Sequence, residues 1–136
     1  MTVFVLDSSA VLRFIDKEAG ADRVREIFRA FADGQADVRI SAVQWGEIAG
    51  NLRKRLGAPA QKRILESLSQ LQPGVVSVSA ERAVRAAELR VDRKLAYADA
   101  VALDLAMDSA DQVLVTADYD FKAVDDLARI EFLPLK

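Results

Sequence analysis

Val3-Phe4-Val5-Leu6-Asp7-Ser8-Ser9-Ala10 is the stretch from which the rest of the chain can be read. Val3 to Leu6 is a continuous β-prone apolar run, the pattern of a strand covered on both faces. Asp7, Ser8 and Ser9 are residue types that cap helices, and Ala10-Val11-Leu12-Arg13-Phe14-Ile15 continues as a short helix. A buried strand that runs straight into a helix start is the building unit of a parallel α/β sheet.

The same alternation extends outward. Ala21 to Ala32 reads as helix, with Val24, Ile27, Phe28 and Phe31 at helical spacing, and Val38-Arg39-Ile40 as a brief second strand. Ser41 caps a helix over Val43 to Leu56, with Trp45, Ile48, Ala49, Leu52 and Leu56 as its buried stripe. Gly57 suits its C-terminal cap. Pro59 suits the start of the next helix, which runs to about Leu71 with Ile64, Leu65, Leu68 and Leu71 inward. Val75 to Val78 reads as a third strand, Ala80 to Lys94 and Ala98 to Ala110 as helices, and Gln112 to Thr116 as a fourth strand. A turn and short helix from Ala117 to Leu127 lead to a fifth strand at Ile130 to Leu133. The expectation is an α/β fold, a parallel sheet with helices on both faces, formed by residues 1–136 as a single domain.

Composition narrows the chemistry. The chain has 136 residues, 51% hydrophobic and 29% charged, which fits one folded domain rather than two or a disordered tail. It contains no histidine and no cysteine. That excludes a Ser-His-Asp triad, an imidazole acid/base, a thiolate zinc site, a Cys nucleophile and a disulfide scaffold. Catalysis must run on carboxylates, Lys, Arg, Tyr, hydroxyls or a metal held by oxygen. A net charge of −2, from 19 basic and 21 acidic residues, gives no global basic footprint. No apolar run approaches the roughly 20 residues a bilayer needs, and Met1-Thr2-Val3-Phe4 lacks a basic leader, so a cytoplasmic protein with no membrane partner is expected.

Parallel sheets place function at the carboxyl ends of their strands, near a switch in strand order. Asp7 follows the first strand there and Asp118 the fourth. Glu47, within Trp45-Gly46-Glu47-Ile48-Ala49, and Asp99, at a helix start within Ala98-Asp99-Ala100, stand among apolar or small neighbours; Asp120 follows Asp118 by two. Each has an ordinary use as well: Asp7 as a helix cap, Glu47 as a solvated helix acid, Asp99 as a complement to a helix dipole, Asp118 and Asp120 as turn formers. The weight lies in the set. Two like charges ~4 Å apart repel by roughly 4 kcal/mol at an effective dielectric near 20, so converging acids need protons or a cation. An all-oxygen donor set favours Mg²⁺ or Mn²⁺ over zinc, and such ions activate water for phosphate chemistry.

These residues carry a family resemblance. Val3 to Ala10 resembles the opening strand and first acid of PIN-domain nucleases, Glu47-Ile48 the second acid, and Ala98-Asp99-Ala100 the third. Thr116-Ala117-Asp118-Tyr119-Asp120-Phe121 resembles the fourth segment. Order, spacing and length are similar to a VapC-type toxin of a toxin–antitoxin pair. The resemblance implies a PIN-like α/β/α fold with a five-stranded parallel sheet ordered 3-2-1-4-5. It implies Mg²⁺- or Mn²⁺-dependent endonucleolytic cleavage of RNA, inhibition of growth, a homodimer, and a VapB-like antitoxin that covers the site. On it, Asp7, Glu47, Asp99 and Asp118 are the catalytic acids. Asp7 and Asp99 hold metal directly; Glu47 and Asp118 act through water or a second metal. Asp120 competes with Asp118, which lies closer to the strand end. Ser8, Ser9 and Thr116 are secondary, either contacting metal-bound water or phosphate or simply capping and closing the strand end.

Other features admit two uses. Arg53-Lys54-Arg55 with Lys62 and Arg63, and Arg82, Arg85, Arg90, Arg93 and Lys94, are the basic regions, either for RNA or as solvated faces paired with Glu66, Glu81 and Glu88. Trp45, Phe14, Phe28 and Phe31 serve the core or a partner surface; Tyr97 and Tyr119 flank the acids and serve burial or base stacking. A haloacid-dehalogenase phosphatase needs a second Asp where Ser9 stands, and a phospho-receiver needs an aspartate that Gly74 to Ser79 does not supply. The non-enzymatic alternative is a catalytically silent PIN-like module that only binds RNA or a partner protein, and a further one is an RNA-processing module of the same fold.

Overall fold

A computed structural model describes all of residues 1–136. In chain order the elements are β1 (Thr2–Leu6), α1 (Ser8–Asp16), α2 (Ala21–Ala32), β2 (Ala36–Ser41), α3 (Ala42–Leu56) and α4 (Ala58–Gln70). Then come β3 (Gly74–Val76), α5 (Ala80–Arg93), α6 (Tyr97–Ala106), β4 (Gln112–Thr116), a 3-10 segment (Tyr119–Val124) and β5 (Arg129–Phe132). The five strands form one sheet in the order β3-β2-β1-β4-β5, and every pairing is parallel. The family-based expectation for the sheet is met. β1 and β4 are neighbours, with Leu6 opposite Val115, so the order reverses between them and their carboxyl ends emerge side by side.

Strand alternation splits the core into two layers. Phe4, Leu6, Val38, Ile40, Val113 and Val115 face α1 to α4, where Val11, Ile27, Phe28, Ile48, Leu52 and Leu68 complete one cluster. Val5 and Leu114 face the opposite side, against Ala86 of α5, the buried run of α6, and Phe121 and Val124 of the 3-10 segment. Phe14 and Phe28 pack at 5.2 Å between centroids, and Trp45 lies against the same cluster, so these aromatics serve the core. No helix is long and apolar enough to cross a membrane.

Several boundaries differ from expectation for local reasons. The core stripe of α3 is Gln44, Ile48 and Leu52 at four-residue spacing, and Leu56, at the last turn, is 48% exposed. Leu71 ends α4 as its cap and is likewise exposed. α6 stops at Ala106 rather than Ala110, because its last N–H groups turn to carbonyls three residues back, Met107 onto Asp104 and Asp108 onto Leu105. The segment after β4 is 3-10 rather than α, started by the Asp118 side chain accepting the Asp120 N–H.

Gly20 starts α2 at φ +92, where an added Cβ would also meet the Leu133 Cβ at 2.8 Å. Leu133 is 1% exposed. Gly20→Ala is therefore strained twice, by backbone sign and by overpacking, and should lower the unfolding free energy by about 2 kcal/mol, read as a shift in urea midpoint at unchanged slope.

Candidate active site

Asp7 leaves β1 in extended conformation and caps α1. Its Oδ1 accepts the Ala10 N–H at 2.9 Å and the Ser9 hydroxyl at 2.7 Å; its Oδ2 accepts the Thr116 hydroxyl at 2.5 Å. Thr116 reaches it because it ends β4, the strand beside β1. Ser9 and Thr116 each have one hydroxyl proton, and each gives it to Asp7. The Ser9 oxygen in turn accepts the Ala117 N–H and the Thr116 oxygen the Asp118 N–H, both at 2.9 Å. Their capping and strand-end roles are thus realised, and through them they fix the Asp7 carboxylate and the backbone ahead of Asp118.

Asp7 is only 3% exposed. Burial pushes its carboxyl up to about 6, against the three hydrogen bonds that favour the charged form; Asp118 adds a smaller push upward. Asp99, in the first turn of α6, is half-buried and also raised to about 6. Burial is the largest cause, followed by the charges of Asp118, Asp7, Glu47 and Asp120. The fold therefore gathers all five acids, from the ends of β1 and β4 and from α3, α6 and the 3-10 segment, into one electrostatic neighbourhood. Asp118 acts on Asp99 more strongly than Asp120 does. Glu47 is tied to the α1 start by the Ser8 hydroxyl, which donates to its Oε1 at 3.1 Å.

No three of these carboxylates close a metal cage by themselves. The donor set still suits a hard cation. It is all oxygen, its charges repel, and Mg²⁺ is ordinarily held by one or two carboxylates with waters completing the octahedron. Asp7 and Asp99, the two acids with raised affinity for a proton, are the pair where a cation would relieve most. Clefts open on both sides of the acids. Ser9, Leu12, Arg13 and Asp118 line one; Lys94, Asp99, Tyr119 and Asp120 line the other. The largest surface cavity lies elsewhere, between α3 and α4 beside Trp45, Arg53 and Leu65, and contains none of these acids.

The basic regions divide. Arg82 and Arg85 pair with Asp104, Arg82 also with Asp108, and Arg93 with Asp126, all remote in sequence rather than the nearby glutamates. Arg55 pairs with Asp16. Lys54, Lys62, Arg63, Arg90 and Lys94 enter no ion pair, so their charge remains available. Tyr119 is held in the fold, its hydroxyl donating to the Leu133 carbonyl at 2.8 Å and its ring 5.0 Å from Phe132; Tyr97 is partly exposed.

Gln44 was not singled out by sequence. It is buried, with Oε1 accepting the Ser8 N–H and Nε2 donating to the Ala98 carbonyl, so it touches the backbone beside both Asp7 and Asp99. Its signal was a polar residue on the apolar stripe of α3.

The chain matches the PIN domain family model over residues 4–127. No curated protein sequence matches it. Among solved structures it is similar to VapBC2 from Rickettsia felis bound to a promoter DNA fragment, at 15% identity, covering 96% of this chain and 98% of that one, with a TM-score of 0.72. It is similar to DNA-bound VapBC from Salmonella typhimurium at 18% identity, 97% and 98% coverage and a TM-score of 0.72. It is similar to VapC20 from Mycobacterium tuberculosis, described as a toxin that cleaves the sarcin–ricin loop, at 23% identity, 98% and 100% coverage and a TM-score of 0.70. At these identities the likeness is one of fold.

Proposed function

The chain belongs to the PIN-domain family, and from that membership we propose that it is a Mg²⁺- or Mn²⁺-dependent endoribonuclease, the toxin of a VapBC-type pair. The observation that carries the reading is the gathering of Asp7, Glu47 and Asp118 around the half-buried Asp99 carboxyl, whose affinity for a proton their charges raise. Such a group is costly to maintain for structure alone. The solved VapC and VapBC structures of the same fold support it, one of them described as a toxin that cleaves the sarcin–ricin loop.

A bound Mg²⁺ or Mn²⁺ supplies a Lewis acid and lowers the pKa of water at neutral pH, which replaces the missing imidazole and thiolate. Asp7 and Asp99 would hold it directly. Glu47 and Asp118 would complete the acidic site, through water or a second ion, and would orient the attacking water. Ser9 and Thr116 hold the Asp7 carboxylate in its rotamer, and Ser8 holds Glu47. Lys54, Lys62, Arg63 and Lys94 supply unpaired positive charge for the RNA backbone. A VapB-like antitoxin would neutralise the protein in the cytoplasm, where the toxin, as a homodimer, would otherwise arrest growth.

Incubation of the wild-type chain with end-labelled RNA tests the reading. Endonucleolytic products should form with Mn²⁺ or Mg²⁺, disappear with EDTA, and return when the ion is restored. RNA binding should weaken as salt rises, since the contacts release counterions. RNA that is bound but uncut in Mn²⁺ would leave a binding module instead.

A further inference from the structure

Gln44 shares the core-facing stripe of α3 with Ile48 and Leu52 and is 1% exposed. Both ends of its amide are used. Oε1 accepts the Ser8 N–H at 2.5 Å, and Nε2 donates to the Ala98 carbonyl at 2.8 Å. The Ser8 N–H is one of the donors that the start of α1 cannot satisfy internally. The Ala98 carbonyl belongs to the first turn of α6. Ser8 follows Asp7 directly, Ala98 directly precedes Asp99, and Glu47 lies one turn along the same helix as Gln44.

The layers make this linkage consequential. α1 packs in the cluster on one face of the sheet and α6 in the cluster on the other. No common apolar core therefore sets the height of one helix start against the other. α3 reaches both, with Ile48 and Leu52 in the first cluster and Val43 against the second. A buried amide costs free energy unless every polar atom is paired, and an apolar side chain would fill the same place in the stripe without that demand. Here the amide meets that demand, since it carries both an acceptor for one helix start and a donor for the other.

We propose that Gln44 is a positioning residue that sets the separation of Asp7, Glu47 and Asp99 by tying the backbone beside the first and third acids to the helix carrying the second. Its geometry stands alone; its consequence for metal binding rests on the proposed nuclease reading.

The test compares the full chain with Gln44→Met, which keeps the length and removes both bonds, and Gln44→Asn, whose amide is too short to span both partners. Leu68→Ala, a core truncation in α4 away from the acids, is the comparator. Amide hydrogen exchange, thermal melting and Mn²⁺ affinity, from the free-Mn²⁺ electron paramagnetic resonance signal, are measured on each. Both Gln44 variants should exchange faster at the first turns of α1 and α6 together and bind Mn²⁺ on the order of tenfold more weakly, the scale seen when a supporting contact to a metal ligand is lost. Leu68→Ala should melt lower with unchanged Mn²⁺ affinity. Gln44 variants that melt lower yet keep wild-type exchange at both helix starts, or wild-type Mn²⁺ affinity, overturn the proposal. A wild type that binds no Mn²⁺ overturns the nuclease reading instead, and exchange at the two helix starts then decides the linkage by itself.

Discussion

Asp7→Asn and Asp99→Asn should each lose metal-dependent RNA cleavage by a factor on the order of 10³, while the metal-free variants unfold at higher denaturant than wild type at pH 7.5. On the proposed function the loss of activity follows from removing a carboxylate that would hold the cation, an interaction that supplies several kcal/mol of charge stabilisation. The gain in stability follows from the raised carboxyls. Asp7 titrates at about 6 in the folded chain against 3.8 for its unperturbed group, a difference worth about 3 kcal/mol. The folded state therefore holds that proton more tightly than the unfolded state. Stability from this group is fully present below about pH 4 and is lost as pH rises through 6, the direction linkage requires when the native state binds more protons. Asn keeps what the structure uses: its oxygen still caps Ala10 and accepts from Ser9, and its NH₂ donates to the Thr116 oxygen once that hydroxyl turns. Only the buried charge is gone. Asp99 is raised to the same value and shifts in the same direction, and the two effects overlap because Asp7 is one of the charges acting on Asp99. Urea unfolding in EDTA from pH 5 to 8 should show a falling wild-type curve and a flatter Asp7→Asn curve. Added Mn²⁺ should stabilise wild type more than either variant. Wild-type cleavage in either variant would sink the assignment of the two ligands.

The fold was legible because its strands are short, apolar and separated by residues that cap helices, so type and order could be read even where boundaries slipped. Boundaries failed where tertiary or end effects outweigh pattern. Leu56 continues the α3 spacing but sits at the last turn, where about half of its surface stays in water. α6 ends at Ala106 although Ser109 and Ala110 tolerate helix. The neighbourhood of Asp7 and Asp118 follows from strand order alone, since adjacent parallel strands bring their carboxyl ends together. Glu47 and Asp99 lie on helices, so periodicity says which element carries them but not how far it leans over the sheet; the family resemblance supplied that. What sequence could not give were the bonds among uncharged partners: Ser9 and Thr116 both donating to Asp7, and Gln44 spanning two layers. Hydroxyls and amides are equally at home in turns and on surfaces. Asp104 is the same lesson in charged form. It interrupts the apolar run Ala100 to Ala106, and its partners on α5 are 19 and 22 residues away.

Asp104→Ala should lower the unfolding free energy by about 3 kcal/mol, the lower part of the range for breaking a buried ion pair from one side. The Asp104 side chain is 6% exposed and receives Arg82 at 2.8 Å and Arg85 at 2.9 Å. Removing it leaves the Arg82 guanidinium, itself 12% exposed, without one of its two acids. Arg82 keeps Asp108 at 2.7 Å, and Arg85 is half in water, which is why the cost stays at the lower end. For a chain of this size 3 kcal/mol corresponds to a melting-point fall of about 10 °C. Asp108→Ala removes the more exposed partner and should cost about 1 kcal/mol or less. The pair Asp104→Ala and Arg82→Ala together should cost less than the sum of the two alone, because neither then leaves a charge stranded between α5 and α6. That non-additivity separates an ion-pair effect from simple loss of packing. Additive costs in a double-mutant cycle would assign the stability of the α5–α6 contact to its apolar residues, Ala86 and Leu103 among them, rather than to the charges.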